Sequence, residues 1–390
     1  MRVIYPVPEL LPEQSARFIQ VIQTCHALAK VGTEVILMAG IKSGYSEEKV
    51  LGFYGISGHP NLKLVRIPII RREQKKYLRF SSHGVFHFFL FLRLLWKRSY
   101  RDGGTVFFVR HVKLADLILR FRRFFRASVV FEVHEIFHLA GQSERGRKRL
   151  RRIESRVYRE SDALVSISQA IKEYLIQMKI PDRSIHVVRN GVEEEWFSVR
   201  KKPSASYICY TGSLYSWKGV DTLILAMKYL PGEKLVIVGG GGRTAELKSL
   251  TVKEGVSDRV DFAGAVPRML IPEYLSQAKV AVLPNILSMP SQFSSPLKLF
   301  EYMACGIPIA ASDMPVFREV LTHKENAVLV EPNNPEALAG GIRYLIENPE
   351  RAAQIAEKAK VDALNFTYGK RAGKITDIME RMNKEESGGS

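Results

Sequence analysis

The chain has 390 residues, 46% of them hydrophobic and 25% charged, which is the composition of a globular protein long enough for two domains. Its formal net charge of +18 predicts an anionic partner or surface. The three cysteines, Cys25, Cys209 and Cys305, form no CxxC pair, which excludes a disulfide framework or a cysteine-based zinc site and favours a reducing, cytoplasmic compartment.

Most of the positive charge lies in the first half of the chain. Residues 1–200 carry 35 Lys and Arg against 19 Asp and Glu, and residues 63–126 carry 17 against 3 together with thirteen aromatic residues. Basic and large apolar residues mixed in this way are typical of a segment that lies on an anionic membrane, and they also occur in nucleic-acid-binding proteins. We favour a membrane or lipid-linked partner over nucleic acid; a solvated basic face over an ordinary core is the remaining interpretation.

Two further features bear on membranes and secretion. The most apolar run, Phe86 to Trp96, is too short to span a membrane and contains Arg93. The first residues, MRVIYPV, are typical of a strand rather than of a signal peptide. We therefore expect a cytoplasmic protein that is peripheral to the inner face of the cell membrane.

Short β-branched runs alternate with helical stretches along the whole chain, and this predicts parallel, doubly wound sheets. The predicted strands of the first half are 2–5, 33–38, 63–67, 105–109, 128–133, 163–167 and 185–188. Those of the second half are 207–211, 235–238, 260–263, 279–283, 307–311 and 327–330. The pattern occurs twice, so the predicted fold class is α/β with two Rossmann-like domains facing across a cleft, at 1–195 and 203–366. A charged linker near 193–206 would join them, and the polar tail 385–390 is expected to be disordered.

The stretch SSPLKLFEYMACGIPIAASD, residues 294–313, predicts a helix followed by a buried strand. Ser295 is placed to cap the helix, Pro296 suits its first position, and Gly306 suits its end. Because a helix N-terminus attracts anions, Glu301 one turn further on indicates a phosphate-bearing ligand with hydroxyl groups nearby. The alternative is a packed helix with one solvated carboxylate.

Two glycine-containing turns follow strands in the second half. In YTGSLYSWKG, Gly212 lets the backbone approach a ligand and Lys218 can neutralise a phosphate. The run at 239–242 does not complete a Gly-x-Gly-x-x-Gly fingerprint, because the sixth position is Thr244. We expect it to line a nucleotide site as a tight turn and not to bind NAD.

Two weaker motifs complete the set. Val266 and Pro267 follow a strand and are placed to offer backbone contacts to a base. His134 ends a strand, where it faces the ligand-binding edge of an α/β sheet, although a structural histidine is the alternative. No Asp-x-Asp occurs, and no third ligand joins His134 and His138 at metal spacing, so neither a metal nor another cofactor is predicted.

In this order, the motifs resemble the GT-B retaining glycosyltransferases of the family-four type (glycosyl transferases group 1). The residues that carry the resemblance are His134, RNGV at 189–192, GSLYSWKG at 212–219, VGGGG at 238–242, AGAVP at 263–267 and SPLKLFEYMACGIPIAASD at 295–313. The resemblance covers nearly the whole chain and is most specific over 294–313. It also implies that the last helix, 367–384, crosses back to the first domain.

The resemblance implies roles for individual residues. Glu301 would hold the ribose hydroxyls of a nucleotide, Lys218 would balance the leaving diphosphate, and His134 would lie near the donor sugar; these three are the expected catalytic residues. The other expected donor-binding residues are Gly212, Ser213, Gly239, Gly240, Val266, Pro267, Arg268, Ser294, Ser295, Pro296, Leu297 and Lys298. Two positions depart from the family pattern: Phe293 stands where an acid is common, and Ser213 where an arginine is common. Arg189 or Arg268 is the expected replacement for the missing charge.

These features predict an enzyme that moves a sugar from a UDP- or GDP-sugar to a glycan or lipid-linked acceptor, without a tightly bound metal. Retention of the anomeric configuration is implied by the resemblance alone, as is a role in polysaccharide or glycolipid biosynthesis. A sugar-nucleotide epimerase or hydrolase of the same fold is the first alternative. A non-catalytic protein that binds polyanions or membranes on that scaffold is the second.

Overall fold

The computed structural model describes residues 1–69, 82–96, 104–140 and 143–388, and the chain divides into two compact units. The first unit comprises Met1–Arg189 and Tyr368–Ser390, and the second comprises Asn190–Thr367. The predicted linker, 193–206, therefore begins inside the second unit. It does so because Val192 N donates a hydrogen bond to Phe366 O over 2.9 Å and the nearby Trp196 is buried.

The first unit is built on a seven-stranded sheet whose described strand pairs are all parallel, in the order β3-β2-β1-β4-β5-β6-β7. Its strands are β1 Arg2–Leu11, β2 Glu34–Ile41, β3 Leu62–Arg66, β4 Thr105–Val109, β5 Ser128–Val133, β6 Ala163–Ser166 and β7 Ile185–Val187. All seven predicted strands of the first half are confirmed. Because the order reverses between β1 and β4, the ligand-binding edge of such a sheet lies at the carboxyl ends of these central strands.

Helices pack against the strands of this sheet, as is usual for parallel sheets. They are α1 Ala16–Lys30, α2 Glu47–Phe53, α3 Ser82–Trp96, α4 Val112–Arg120, α5 Arg122–Phe125, α6 Glu144–Glu160 and α7 Gln169–Gln177. The apolar run 86–96 lies within α3. In the part of the chain that the structure describes, no helix is both long enough and apolar enough to cross a membrane.

The second unit repeats the design with six parallel strands in the order β10-β9-β8-β11-β12-β13. Its strands are β8 Tyr207–Thr211, β9 Lys234–Val238, β10 Val260–Gly264, β11 Ala278–Leu283, β12 Ile309–Ser312 and β13 Val328–Val330. The six predicted strands of the second half are confirmed, and with them the α/β class and two Rossmann-like units. The strand order reverses between β8 and β11, so this unit has its own ligand-binding edge there.

The helices of the second unit bury one face each against this sheet or against one another. They are α8 Val220–Ala226, α9 Thr244–Lys253, α10 Ile271–Ser276, α11 Met289–Gln292, α12 Leu297–Ala304, α13 Pro315–Arg318, α14 Pro335–Glu347 and α15 Pro349–Ala363. Helix α12 begins one residue later than predicted. Pro296 precedes it in an extended conformation, and no side chain caps it, so the predicted cap by Ser295 is wrong.

The last helix, α16 Tyr368–Gly388, belongs to the first unit, where it packs against α1. Its Arg371 is 3% exposed and donates hydrogen bonds to the carbonyl oxygens of Val188, over 2.6 Å, and Arg189, over 2.7 Å. The helix ends at Gly388, beyond the predicted end at 384, and the disorder of the tail stays a prediction. Residues 389–390 lie outside the described part of the chain.

Candidate active site

The two glycine turns of the second unit lie against each other at the carboxyl ends of β8 and β9. Gly212 N donates a hydrogen bond to Val238 O over 2.8 Å, and Leu214 N donates one to Gly240 O over 3.2 Å. A Cβ atom on Gly239 would lie 1.8 Å from Gly212 O, so no larger residue fits. The structure thus brings Gly212, Gly239 and Gly240 together, as expected of turns that line one site.

Two lysines lie beside these turns, and the charge of Lys218 acts on Lys298. Lys298, in the first turn of α12, donates a hydrogen bond to Thr211 O over 2.9 Å, and its ammonium lies 3.6 Å from the centre of the Tyr210 ring. Burial lowers the pKa of Lys218 to about 8. Burial and the charge of Lys218 lower the pKa of Lys298 well below its usual value. An anion bound between two such ammonium groups would relieve their repulsion, so this part of the site suits a diphosphate.

The backbone explains why Lys218 is held at this place. It ends a 3-10 turn, Ser216–Lys218, that Gly219 closes with φ +67°. A Cβ atom on Gly219 would lie 1.8 Å from Pro284 O, so the turn packs directly on the loop that follows β11. The lysine is therefore fixed at the β8–β11 edge, where the strand order reverses.

Glu301, in the middle of α12, is 4% exposed and is paired with an arginine. Arg268 Nη1 donates a hydrogen bond to Glu301 Oε1 over 2.6 Å, and Arg268 Nη2 lies 2.7 Å from Glu193 Oε2. The same guanidinium lies 4.9 Å from the centre of the Trp196 ring. Burial raises the pKa of Glu301, Arg268 lowers it in part, and Glu193 raises it further. Arg268 thus pairs with two carboxylates. The sequence analysis expected it to bind a phosphate and did not predict this pairing.

The remaining predicted donor-binding residues of this unit lie at the same edge of the sheet. Ser213 O accepts a hydrogen bond from the Tyr210 hydroxyl over 2.8 Å, and Ser294 Oγ donates one to Ser291 O over 2.9 Å. Val266 and Pro267 lie in the loop after β10, with Val266 half-buried and Pro267 exposed. Ser295, Pro296 and Leu297 lead into α12, and Phe293 ends α11.

Two asparagines at this edge were missed as candidate site residues. Asn285, two residues after β11, is fully buried, and among the described residues neither atom of its side-chain amide has a hydrogen-bond partner. Asn190 Nδ2 donates to Ser295 O over 2.6 Å, whereas its buried Oδ1 has no such partner in the described part of the chain. An unsatisfied buried polar group costs about 1–3 kcal/mol, so a ligand that bonds to these amides would recover that loss. A polar residue in the loop that follows the buried strand β11, at the point where the strand order reverses, is the sequence signal that indicates Asn285.

His134 lies in the first unit, directly after β5, beside a buried carboxylate. Its Nε2 is 2.9 Å from Glu132 Oε2, and Glu132 also accepts hydrogen bonds from the Tyr5 hydroxyl (2.9 Å), Gln20 Nε2 (3.0 Å) and Arg371. Burial would raise the pKa of Glu132, but His134 and Arg371 hold that pKa below its usual range. Burial, followed by the Arg110 charge, lowers the pKa of His134 to about 4. His134 is therefore neutral near pH 7, so one of its ring nitrogens is a donor and the other is an acceptor.

His138, the other histidine of this motif, has a structural role. Its Nδ1 lies 2.6 Å from Glu154 Oε2 and its Nε2 lies 3.0 Å from the Tyr174 hydroxyl. Glu154 also accepts a hydrogen bond from the backbone N of Phe137 over 2.7 Å, which fixes the turn after His134 to α6. Within the described ranges, no cluster of three or more His, Cys, Asp or Glu side chains suits a metal ion. Metal independence stays a prediction.

Comparison with known proteins divides the chain in the same two parts. The model of Glycosyltransferase Family 4 matches residues 19–196, and that of Glycosyl transferases group 1 matches residues 192–362. D-inositol 3-phosphate glycosyltransferase of Xylanimonas cellulosilytica is 29% identical over 253 residues, which cover 59% of this chain and 60% of that protein. The matched part of the chain spans 58–60% of the length of the first curated relatives.

Two solved structures share the fold over almost their full length. Sucrose-phosphate synthase of Thermosynechococcus elongatus has a TM-score of 0.77 at 19% identity, with 98% of each chain covered. HepE of Anabaena, solved in complex with UDP, has a TM-score of 0.74 at 17% identity, with 98% of this chain and all of HepE covered. At such low identities the likeness shows the fold alone.

Proposed function

Because the chain belongs to the glycosyltransferases, as a family-four and group-1 member with the GT-B fold, we propose that it transfers a sugar from a nucleoside-diphosphate sugar to an acceptor. The observation that carries this proposal is the position of Lys298, in the first turn of α12 with its Nζ 2.9 Å from Thr211 O, together with Lys218 at the end of the turn that follows β8. Two cations at one edge of the sheet match the two phosphates of such a donor. HepE, a neighbour in fold, was solved with UDP, which makes a UDP-sugar the first donor to test.

Each group at this edge has a role in the proposed reaction. Negative charge grows on the diphosphate as the bond to the sugar breaks, and Lys218, Lys298 and the backbone amides at the start of α12 stabilise that charge. Glu301 accepts hydrogen bonds from the ribose hydroxyls. Val266 and Pro267 lie beside the base. These cations come from the chain itself, so the proposed reaction uses no tightly bound metal.

The first unit is the proposed acceptor domain. His134 is neutral, and the ring nitrogen that carries no proton accepts a hydrogen bond from a sugar hydroxyl. The acceptor is a glycan or a lipid-linked glycan, and the transfer retains the anomeric configuration. Because Phe293 stands where the family commonly has an acid, no carboxylate at that position can bind the donor sugar. The buried amides of Asn285 and Asn190 are proposed to bind the sugar instead.

The proposed place of action is the cytoplasmic face of an anionic membrane. Within the predicted basic window 63–126, residues 70–81 and 97–103 lie outside the described part of the chain. The described remainder exposes Phe88, Trp96 and Phe124, side chains that favour a membrane interface over water.

Donor turnover tests this proposal directly. The protein is incubated with UDP-glucose, UDP-galactose or GDP-mannose, with and without a bacterial lipid extract as acceptor, and the released nucleotide is measured. We expect release that depends on the acceptor, with Lys218→Ala slowing turnover and Glu301→Ala mainly raising KM for the donor.

The other outcomes are informative. Consumption of the donor without any acceptor would indicate a hydrolase, and conversion of one sugar nucleotide into another would indicate an epimerase. Neither binding nor turnover of any donor, together with binding to anionic vesicles, would contradict the transferase and favour the non-catalytic alternative.

A further inference from the structure

One buried arginine connects the last helix of the chain to the strand that precedes His134. Arg371 of α16 is 3% exposed and donates a hydrogen bond from Nη2 to Glu132 Oε1, on a carboxylate 239 residues earlier in the chain. The other oxygen of that carboxylate, Oε2, lies 2.9 Å from His134 Nε2. The proposed transfer gives neither Arg371 nor Glu132 a role, although together they connect α16 to a proposed catalytic side chain.

Arg371 is held in place by acceptors on several elements of the first unit. Its Nη1 donates to Val188 O over 2.6 Å and to Arg189 O over 2.7 Å, just after β7, and its Nε lies 3.2 Å from Thr24 Oγ1 of α1. Because a guanidinium presents its donors in a rigid plane, these contacts fix the direction in which Nη2 points toward Glu132. A lysine has a single ammonium group and cannot reproduce this planar set.

The carboxylate of Glu132 is fixed in the same way. The Tyr5 hydroxyl of β1 donates to Oε2 over 2.9 Å, and Gln20 Nε2 of α1 donates to Oε1 over 3.0 Å. Glu132 is 1% exposed, so its charge depends on the protein and not on water, and Arg371 is a cation in direct contact with it. The imidazole of His134 therefore lies beside an anion that cannot turn away.

The charges around His134 act in opposite directions. Burial lowers the pKa of His134 most, the charges of Arg110, after β4, and Arg371 lower it further, and Glu132 raises it. Two more titratable groups interact with this carboxylate, and burial raises their pKa values so that both are neutral near pH 7: the Tyr5 phenol and the Cys25 thiol. The charge of Arg371 thus helps to keep the imidazole neutral.

We propose that Arg371 is a positioning residue: it fixes the Glu132 carboxylate, and through that carboxylate it holds His134 in the orientation and neutral form in which a ring nitrogen accepts a hydrogen bond from the substrate. Helix α16 thereby contributes to the catalytic geometry of the first unit. The inference rests on the proposed function for the role of His134. The link between Arg371 and His134 is a property of the protein alone and is measurable without substrate.

Titration of His134 tests the link. The histidines of the full chain are isotopically labelled, their imidazole signals are followed by NMR as the pH changes, and the His134 signal is the one that is absent in His134→Asn. In Arg371→Met one cation near the imidazole is lost, so we expect the midpoint of the His134 signal to move to higher pH. Arg381→Met is the matched control, because it makes the same change at an exposed arginine of the same helix, and it should titrate as wild type does.

Turnover provides the functional readout, with the donor that wild type consumes among UDP-glucose, UDP-galactose and GDP-mannose and with the bacterial lipid extract. We expect Arg371→Met to lower kcat about tenfold or more, since a small displacement of a catalytic side chain is costly, and to leave KM for the donor unchanged. The acid limb of its pH profile should move to higher pH, in parallel with the His134 signal. Arg371→Lys keeps the charge without the planar contacts, so it should restore the titration of His134 and only part of kcat.

Glu132→Gln tests the same contacts from the other side and does not depend on whether Arg371→Met folds. It removes the anion that raises the pKa of His134, so the midpoint of the His134 signal should move to lower pH, opposite to the change in Arg371→Met. An unchanged His134 signal in Arg371→Met, or in Glu132→Gln where Arg371→Met does not fold, would overturn the proposal. Equal shifts in Arg371→Met and Arg381→Met would also overturn it.

Failure of this proposal is distinguishable from failure of the proposed function. The Kd of UDP should be the same in wild type and Arg371→Met, because the proposed donor contacts lie in the second unit. The expected shift of the His134 signal, without turnover of any donor by wild type, would support the link and contradict the transferase. Equal turnover by wild type and Arg371→Met, with an unshifted His134 signal, would support the transferase and contradict the link.

Discussion

Arg268 donates a hydrogen bond from Nη1 to Glu301 Oε1 over 2.6 Å, and its Nη2 lies 2.7 Å from Glu193 Oε2. One guanidinium thus holds two carboxylates, one of which is the proposed ligand of the nucleotide ribose. The pairing matters because burial raises the pKa of Glu301 and so favours its neutral form. The Arg268 charge opposes that effect and orients the carboxylate.

Replacing Arg268 with methionine should therefore destabilise the protein. The change leaves Glu301 and Glu193 close together without their cation, and breaking such a buried pair costs about 3 kcal/mol or more. Urea unfolding measures the loss. Arg243→Met is the matched control, because Arg243 also joins two carboxylates, Glu246 and Asp221, but both are more exposed to solvent, so the change should cost no more than about 1 kcal/mol. Equal losses in the two variants would contradict the importance assigned to the Arg268 pair.

Gly239→Ala should disrupt the contact between the two glycine turns. The new Cβ atom would lie 1.8 Å from Gly212 O, so the backbone of one turn has to move. We expect a loss of about 2 kcal/mol or more in the free energy of unfolding and a loss of nucleotide binding. Gly242→Ala, in the same turn, is the control, because nothing lies within 4 Å of its Cβ position. Retention of nucleotide binding by Gly239→Ala would show that the close approach is not needed.

Asn285→Leu should separate stability from binding. The amide of Asn285 is fully buried, and both of its polar atoms have no partner in the described part of the chain, so an apolar residue of similar size should leave the free energy of unfolding unchanged or slightly raised. Stabilisation by UDP should nevertheless fall, because the ligand loses that amide. Chemical unfolding with and without UDP provides both measurements. A destabilised variant with normal UDP binding would assign Asn285 to the fold alone.

The neutral imidazole of His134 should make the protein sensitive to mild acid. Its pKa is about 4 in the folded state and about 6.5 in the unfolded state, so the unfolded chain binds more protons between these values. The free energy of unfolding therefore keeps its full value above pH 6.5 and decreases by about 3 kcal/mol as the pH falls toward 4.

His134→Asn should flatten this dependence, as measured by urea unfolding at several pH values. His59→Asn, at a half-buried histidine of the same unit, is the control and should keep the wild-type profile. An unchanged profile in His134→Asn would show that His134 is charged in the folded state or does not control the acid sensitivity.

The sequence predicted the strands well, because buried parallel strands are short β-branched runs between glycine turns and helices. Partners that meet only after folding were not predictable in this way. Arg268 and Glu193 are 75 residues apart, and no local pattern marks them as a pair. Likewise, Asn190 bonds to Ser295 O across 105 residues. The start of α12 was misplaced by one residue because Pro296 suits either the first helical position or the position before it, and here it is extended and precedes the helix.

Thermal unfolding with UDP, GDP and ADP tests the central claim most directly. The measurement is made on wild type, on Lys218→Met and on the control Lys253→Met. Lys253 is exposed on α9, away from the proposed contacts. A nucleotide at 100 times its Kd should stabilise wild type and Lys253→Met by about 2.7 kcal/mol, and Lys218→Met should lose most of that gain. If no nucleotide raises the Tm of wild type, or if Lys218→Met keeps the full effect, the carboxyl edge of the second sheet is not the donor site.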